Sequence, residues 1–256
     1  ETTLNQIEGT GVYQQVVMEL RLNLSNGTDI NVSTHGSVSW SAFDSGTTDT
    51  SAGVVTLVSP NRVSGVGPGE VDIVAQLGAG VSDPYGLVVT DAMALATGVS
   101  TTFPGTFSGI QDIGTAQMGV SATFDDGTTL SNALAIPGFL GFTSSDPDRA
   151  SVNTTGLATI HDNHNLTITL TATATTSGTQ GSSVTACNLT PAVGDLDLGQ
   201  TAGLPHPDRG PGEEFVMPVR VNTGSQPLGS MDFTITYDPT VIQVLAGGPG
   251  GGWPGG

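Results

Sequence analysis

The sequence has no lysine, one cysteine, and no apolar run long enough to cross a bilayer as a helix. Its only cations are five arginines (Arg21, Arg62, Arg149, Arg209 and Arg220), set against 23 Asp and Glu, for a formal charge of −18. Nucleic acid is held by clusters of Lys and Arg that neutralise phosphates, and this chain has none. The same negative field repels an anionic lipid surface. Nucleic acid and the membrane are therefore not expected partners. A lone Cys187 rules out an internal disulfide framework and leaves two readings, a small buried side chain or a bridge to another chain. The sequence starts at Glu1 without Met or an apolar leader and reads as a processed chain or a fragment. Only 11% of residues are charged, so solubility rests on hydroxyls, amides or attached sugars.

Signatures of catalysis are also missing. The serines lack a Gly-x-Ser-x-Gly elbow, and no phosphate-cradling Gly-x-x-x-x-Gly-Lys occurs. His161 and His164 are three apart, but a zinc site needs further ligands, and Cys187, His35 and His206 stand at no metal-binding spacing. Asp125-Asp126, Asp146-x-Asp148 and Asp195-x-Asp197 read as turn formers; none has the form of a calcium loop. No enzyme activity, cofactor or metal is expected. Trp40 falls at an inward strand position and reads as core. Trp253 lies in the glycine-rich tail.

What is present points to strands. The 256 residues include 37 Gly and 15 Pro, with abundant Ser and Thr, which favours strands and turns over helices. Leu166, Ile168, Leu170, Ala172 and Ala174 alternate with Asn165, Thr167, Thr169, Thr171 and Thr173, as in a strand with one core face and one wet face. Met18, Leu20, Leu22 and Leu24 alternate with Glu19, Arg21, Asn23 and Ser25 in the same way. These runs lead into an order of signals that occurs twice. Asn26-Gly27-Thr28 recurs as Asp126-Gly127-Thr128 one hundred positions later, and each turn puts Gly where positive φ is needed. Ser39-Trp40-Ser41 in the first copy answers to Phe142-Thr143-Ser144-Ser145-Asp146 in the second, followed by Ala150 to Gly156. Over residues 10–80 and 110–176 these motifs resemble the bacterial immunoglobulin-like domain, group two, with Phe142 where that family has Trp.

A third pattern follows. Gly210-Pro211-Gly212-Glu213-Glu214 precedes the alternating Phe215, Met217, Val219 and Val221, and then Phe233, Ile235 and Tyr237 precede Asp238-Pro239. This looks like the opening half of a cohesin-type β-sandwich. The expected fold is all-β: tandem immunoglobulin-like sandwiches with a partial third sandwich. The expected layout is an extended segment at 1–9, modules at 10–82 and 110–178, a connector with one strand at 83–109, a linker at 179–192 and the partial module at 193–256.

Six Asn-x-Ser/Thr sequons mark Asn23, Asn26, Asn31, Asn153, Asn165 and Asn188 as candidate glycan sites. The functional expectation is a non-enzymatic extracellular or cell-surface structural glycoprotein, loosely similar to surface-filament (mastigoneme-type) proteins. Its expected partners are copies of itself or other surface proteins, with strand exchange joining copies end to end and residues 1–11, carrying Leu4 and Ile7, as donor. The alternatives are a bacterial adhesin stalk, a cohesin-like protein-binding module, or an ancillary region of a carbohydrate-active enzyme.

Overall fold

The computed structural model describes residues 2–47, 53–58, 60–164, 166–199 and 209–248. Its regular structure is almost entirely β, as the composition demands. The first part holds β1 (Thr2–Ile7), β2 (Gln15–Val17), β3 (Arg21–Asn23), β4 (Asp29–Asn31), β5 (Val38–Asp44), β6 (Val55–Val58), β7 (Arg62–Gly65), β8 (Gly69–Leu77), β9 (Gly80–Val81) and β10 (Tyr85–Ala94). The second holds β11 (Ala96–Thr102), β12 (Thr106–Gly109), β13 (Thr115–Gln117), β14 (Gly119–Phe124), β15 (Thr129–Leu130), β16 (Leu140–Ser144), β17 (Ala150–Val152), β18 (Leu157–Ile160), β19 (Thr167–Ala174) and β20 (Gln180–Leu189), with one 3-10 turn at Ala133–Ala135. Beyond these lie β21 (Leu196–Leu198) and β22 (Val219–Val221).

The two parts repeat one topology. Sheet order β1-β10-β8-β5 is matched by β12-β20-β19-β16, and β2-β7-β6 by β13-β18-β17. In each, the first strand of the larger sheet lies parallel to the last: β1 on β10, and β12 on β20. The register agrees residue by residue. Trp40 faces Ala75 across β5 and β8, and Phe142 faces Ala172 across β16 and β19. Each copy has its own core. Leu4, Val63, Val71, Ile73, Leu87 and Val89 anchor the first; Phe107, Met118, Ile160, Ile168, Leu170 and Cys187 are among those that anchor the second. Fully burying such a side chain stabilises by about 1.5–3 kcal/mol.

The alternation of the closing strand is realised in β19, where Ile168, Leu170, Ala172 and Ala174 are buried. Leu166, one step before the strand, is 60% exposed because no partner strand covers it there. Both Gly turns have the expected geometry. Gly27 and Gly127 each have φ of +82°, and in each turn the side-chain oxygen of residue 26 or 126 accepts the N–H of the Thr two residues on.

Several expectations change. Residues 2–7 are not a free donor segment: β1 is spent inside the first sheet, paired to β10, with Leu4 and Ile7 buried. The run from Val16 to Ser25 is two strands, β2 and β3, because Met18 turns inward between them and bonds Asn61 through both its N–H and its C=O. Residues 83–109 hold three strands, β10 to β12, where one was expected. Residues 179–192 hold the ten-residue β20, which pairs along its length with β19. Among the described residues of 193–256, Leu196–Leu198 and Val219–Val221 form strands, paired to each other, while Phe233 to Tyr237 form none. Pro218, without an N–H, stops that strand from reaching back to Phe215.

Candidate functional site

The feature built with most care is the junction between the two copies, and polar side chains make it. The base of the first copy sits on the Asp126 turn of the second. Asn5 Nδ2 and Gln14 Nε2 both donate to Asp126 Oδ2 at 2.9 Å, and Gln14 Nε2 also reaches Thr128 Oγ1. Gln14 is itself held by the N–H of Asn5, which donates to its Oε1 at 2.9 Å. Beside it, Leu95 and Asp125 exchange two bonds: the Asp125 N–H donates to the Leu95 carbonyl and the Leu95 N–H to Asp125 Oδ1. On the other flank Glu8 is fully buried and accepts from Ser177 Oγ at 2.8 Å, and Thr179 Oγ1 donates to the Ala96 carbonyl. Ile7, from β1, packs in the core of the second copy. Burial pushes the Asp126 carboxyl up. The donors from Thr128, side chain and backbone, and from Asn5 and Gln14 outweigh it, leaving the group below its ordinary value.

In the first copy the corresponding turn, Asn26-Gly27-Thr28, is exposed. β3 and β4 form a two-stranded sheet by themselves, and three of the six sequons sit on it. Asn23, Asn26 and Asn31 are all exposed. Asn153 is exposed in a turn, where its Oδ1 accepts from Thr155 and from the Leu157 N–H. Asn188 is the exception: it lies in β20 at 4% exposure with Oδ1 unpartnered, so its amide faces protein. Asn165, together with Glu1, His206 and Trp253, lies outside the described residues.

The histidines do what spacing could not foretell. His161 Nδ1 lies 2.6 Å from Asp112 Oδ1, and His161 Nε2 lies 2.7 Å from Ser151 Oγ. A carboxylate only accepts, so Nδ1 carries a proton and donates to Asp112. The order Ser-His-Asp is that of a hydrolase triad, but its setting differs from one. A triad buries its carboxylate, whereas the Asp112 side chain is 67% exposed. Ser151 sits inside β17, paired to Thr159. The chain of bonds pins the 110–114 loop to the β17–β18 hairpin. It holds Asp112 at φ of +58°, the one non-glycine residue at positive φ among those described. Arg149 with Asp162, and His164 at 3.9 Å from Asp146, complete this surface.

Among the described residues, no three His, Cys, Asp or Glu gather to hold a metal, and no helix is long and apolar enough to cross a membrane. Cys187 is fully buried, paired with Phe107 as Val89 is with Leu4 in the first copy. Burial raises its thiol pKa, and the Asp146 charge adds to this against the opposing Arg149. Trp40 is half-buried and lines a cavity of about 260 Å³ with Leu57, Pro60 and Val63.

Residues 201–253 match the cohesin domain family. No curated protein matches the chain. Similar solved structures include domains 1–6 of the surface layer protein SbsC, at 12% identity and TM-score 0.30, covering 70% of this chain and 24% of that one. The bacterial integrin-binding protein invasin is 16% identical with TM-score 0.26, covering 74% and 39%. Extracellular domains 3–5 of Drosophila OTK are 13% identical with TM-score 0.25, covering 77% and 64%. The chain thus spans about a quarter of the length of the first of these.

Proposed function

We propose that this chain is a non-enzymatic structural or adhesive segment of an extracellular or cell-surface protein, a spacer whose immunoglobulin-like units join end to end into a fibre. The observation that carries this reading is the junction: the base of one unit grips the Asp126 turn of the next through Asn5 and Gln14, and the same turn recurs at Asn26. A unit that grips its successor and offers its predecessor the same surface is suited to linear growth. An acidic, lysine-free surface and a hydroxyl-rich exterior suit an extracellular setting, and the cohesin match over 201–253 supports a role in holding other proteins. In a eukaryotic source, Asn23, Asn26, Asn31, Asn153 and Asn165 carry glycan, and Asn188 carries it only if modified before β20 forms.

Sedimentation of the full chain over a wide concentration range, with electron microscopy of the concentrated sample, tests the assembly. Linear particles that lengthen with concentration are expected; a monomer throughout overturns it. Glycopeptide mass spectrometry of native material reads the sequons. The second reading, a protein-binding module, rests on the cohesin match alone, and removing residues 193–256 separates the two. Capture of a partner protein is then lost, while contacts through the two immunoglobulin-like units persist.

A further inference from the structure

The Asp126 turn holds a nucleophile, a base and an acyl group in mutual contact. Thr128 Oγ1 donates to Asp126 Oδ1 at 2.6 Å, and Gln14 Nε2 lies 2.5 Å from the same hydroxyl oxygen. The C–N bond of an amide is about 1.3 Å long, so Gln14 Cδ stands within about 3.8 Å of Thr128 Oγ1. Attack on a carbonyl begins at about 3–3.5 Å. The Asn5 N–H donates to Gln14 Oε1 at 2.9 Å, where negative charge gathers when that carbonyl is attacked.

Each of these groups is also fixed from behind. The Thr128 N–H donates to Asp126 Oδ1, and its carbonyl accepts from the Phe124 N–H. The Gln14 N–H donates to the Asn5 carbonyl, and its own carbonyl accepts from the Gly65 N–H. Thr90 Oγ1 donates to Asn5 Oδ1, which orients Asn5 Nδ2 toward Asp126. Gln14 is only 5% exposed.

We propose that Gln14 and Thr128 react with each other to form an ester, a covalent staple between the two immunoglobulin-like copies, with Asp126 as general base. Asp126 Oδ1 takes the Thr128 hydroxyl proton as Oγ1 bonds to Gln14 Cδ. The carbonyl electron pair moves onto Oε1, against the Asn5 N–H, and returns as the Cδ–Nε2 bond breaks. The departing nitrogen keeps that electron pair, takes the proton back from Asp126, whose Oδ2 already accepts from Nε2 at 2.9 Å, and leaves as ammonia. Hydroxyl and carboxamide thus become ester and ammonia, with no co-reactant.

The Asp126 carboxyl is held below its ordinary value, so at neutral pH it is ionised and able to take a proton, though as a weak base. The step is therefore slow, and it happens once per chain, as a maturation and not a turnover. Holding the two groups in contact is worth an effective molarity on the order of 10⁵–10⁸ M. An ester is less stable than the amide it replaces, and escape of ammonia into solution draws the step forward. Burial of Gln14 keeps water from the product. Until the bond forms, the junction is held by its hydrogen bonds and packing alone. The staple does not depend on assembly into fibres.

The test is a tryptic map of the full chain after prolonged incubation at neutral pH. Cleavage after arginine separates residues 1–21, with Gln14, from residues 63–149, with Thr128. The expected product joins these two peptides, is lighter than their sum by one ammonia, and comes apart in hydroxylamine. Thr128→Val and Gln14→Glu should each leave the peptides separate, whereas Thr128→Ser, which keeps a hydroxyl, should still join them. Asp126→Asn should slow joining at least about tenfold. Circular dichroism matching the parent shows that a silent variant has lost the reaction and not the fold. Peptides that stay separate in the parent overturn the staple, as does ammonia lost within one peptide alone. Joined peptides that resist hydroxylamine overturn the ester, and joining at the parental rate in Asp126→Asn overturns the base.

Discussion

The two immunoglobulin-like copies share topology, turn geometry and the register of Trp40 and Phe142, yet they handle their apolar faces differently. The second closes its face completely: Phe124 packs beside Phe139 with ring centroids 5.9 Å apart, under β11 and beside the first copy. The first leaves Leu24, Ile30 and Val17 in water. The second copy owes its closure to β11 and to Ile7 of the first copy.

The sharpest way to break this comparison is inside the two cores, where the copies should behave alike. Ile168→Asp and Val71→Asp, both at positions at most 1% exposed, should each unfold their own copy, since an uncompensated charge cannot stay ionised there. Thr167→Asp, on the exposed side of β19, should change stability by only about 0.5 kcal/mol. Two resolved calorimetric transitions, with one lost at a time, would confirm the pairing of roles; equal effects of Ile168→Asp and Thr167→Asp would refute it.

Where the copies diverge, matched substitutions should diverge too. Phe124→Ala should cost about 3–5 kcal/mol, and Leu24→Ala only about 0.5 kcal/mol. Urea melts of the two variants check this. At the turns, Asp126→Ala should loosen the junction by about 1 kcal/mol, whereas Asn26→Ala should alter only its own turn. The Asp126 effect depends on pH. Its carboxyl is held below the ordinary value of 3.8 in the folded chain, so its contribution is present above that pH and is lost as pH falls through the folded value. Asp126→Asn should remove that step from an acid titration of junction stability. The smallest effect belongs to Cys187. Iodoacetamide should label it slowly in the native chain and readily in urea, and Cys187→Val should cost less than about 1.5 kcal/mol, as its match with Val89 implies.

Much of this was legible in the residues. Alternation over Thr167–Ala174 gave away β19, and the glycines at 27 and 127 marked equivalent hairpins. The parallel pairing of β1 with β10 was not legible, because periodicity tells which face a residue takes but not which distant strand lies beside it. β20 was hidden by its own beginning: Gln180, Gly181, Ser182 and Ser183 carry no apolar alternation, though their backbone pairs with β19 throughout. The junction was hidden for another reason. Asn5, Gln14 and Asp126 are ordinary surface types, and only the fold brings residues more than a hundred positions apart within bonding distance. The link from Ser151 through His161 to Asp112 escaped likewise, since its members come from one strand and two separate connections.

The parallel arrangement of β1 and β10 also decides how the first unit responds to tension. Thr2 lies across from Leu87 and Ile7 from Ala94, so both strands run the same way and the chain enters at one end of the pair and leaves at the other. Pulling the two ends apart slides one strand along its neighbour and loads every bond of the ladder at once. In an antiparallel pair joined by a hairpin, the same pull would open the bonds singly. β12 and β20 repeat the geometry in the second unit. The two units thus carry tension along the chain through their parallel strand pairs.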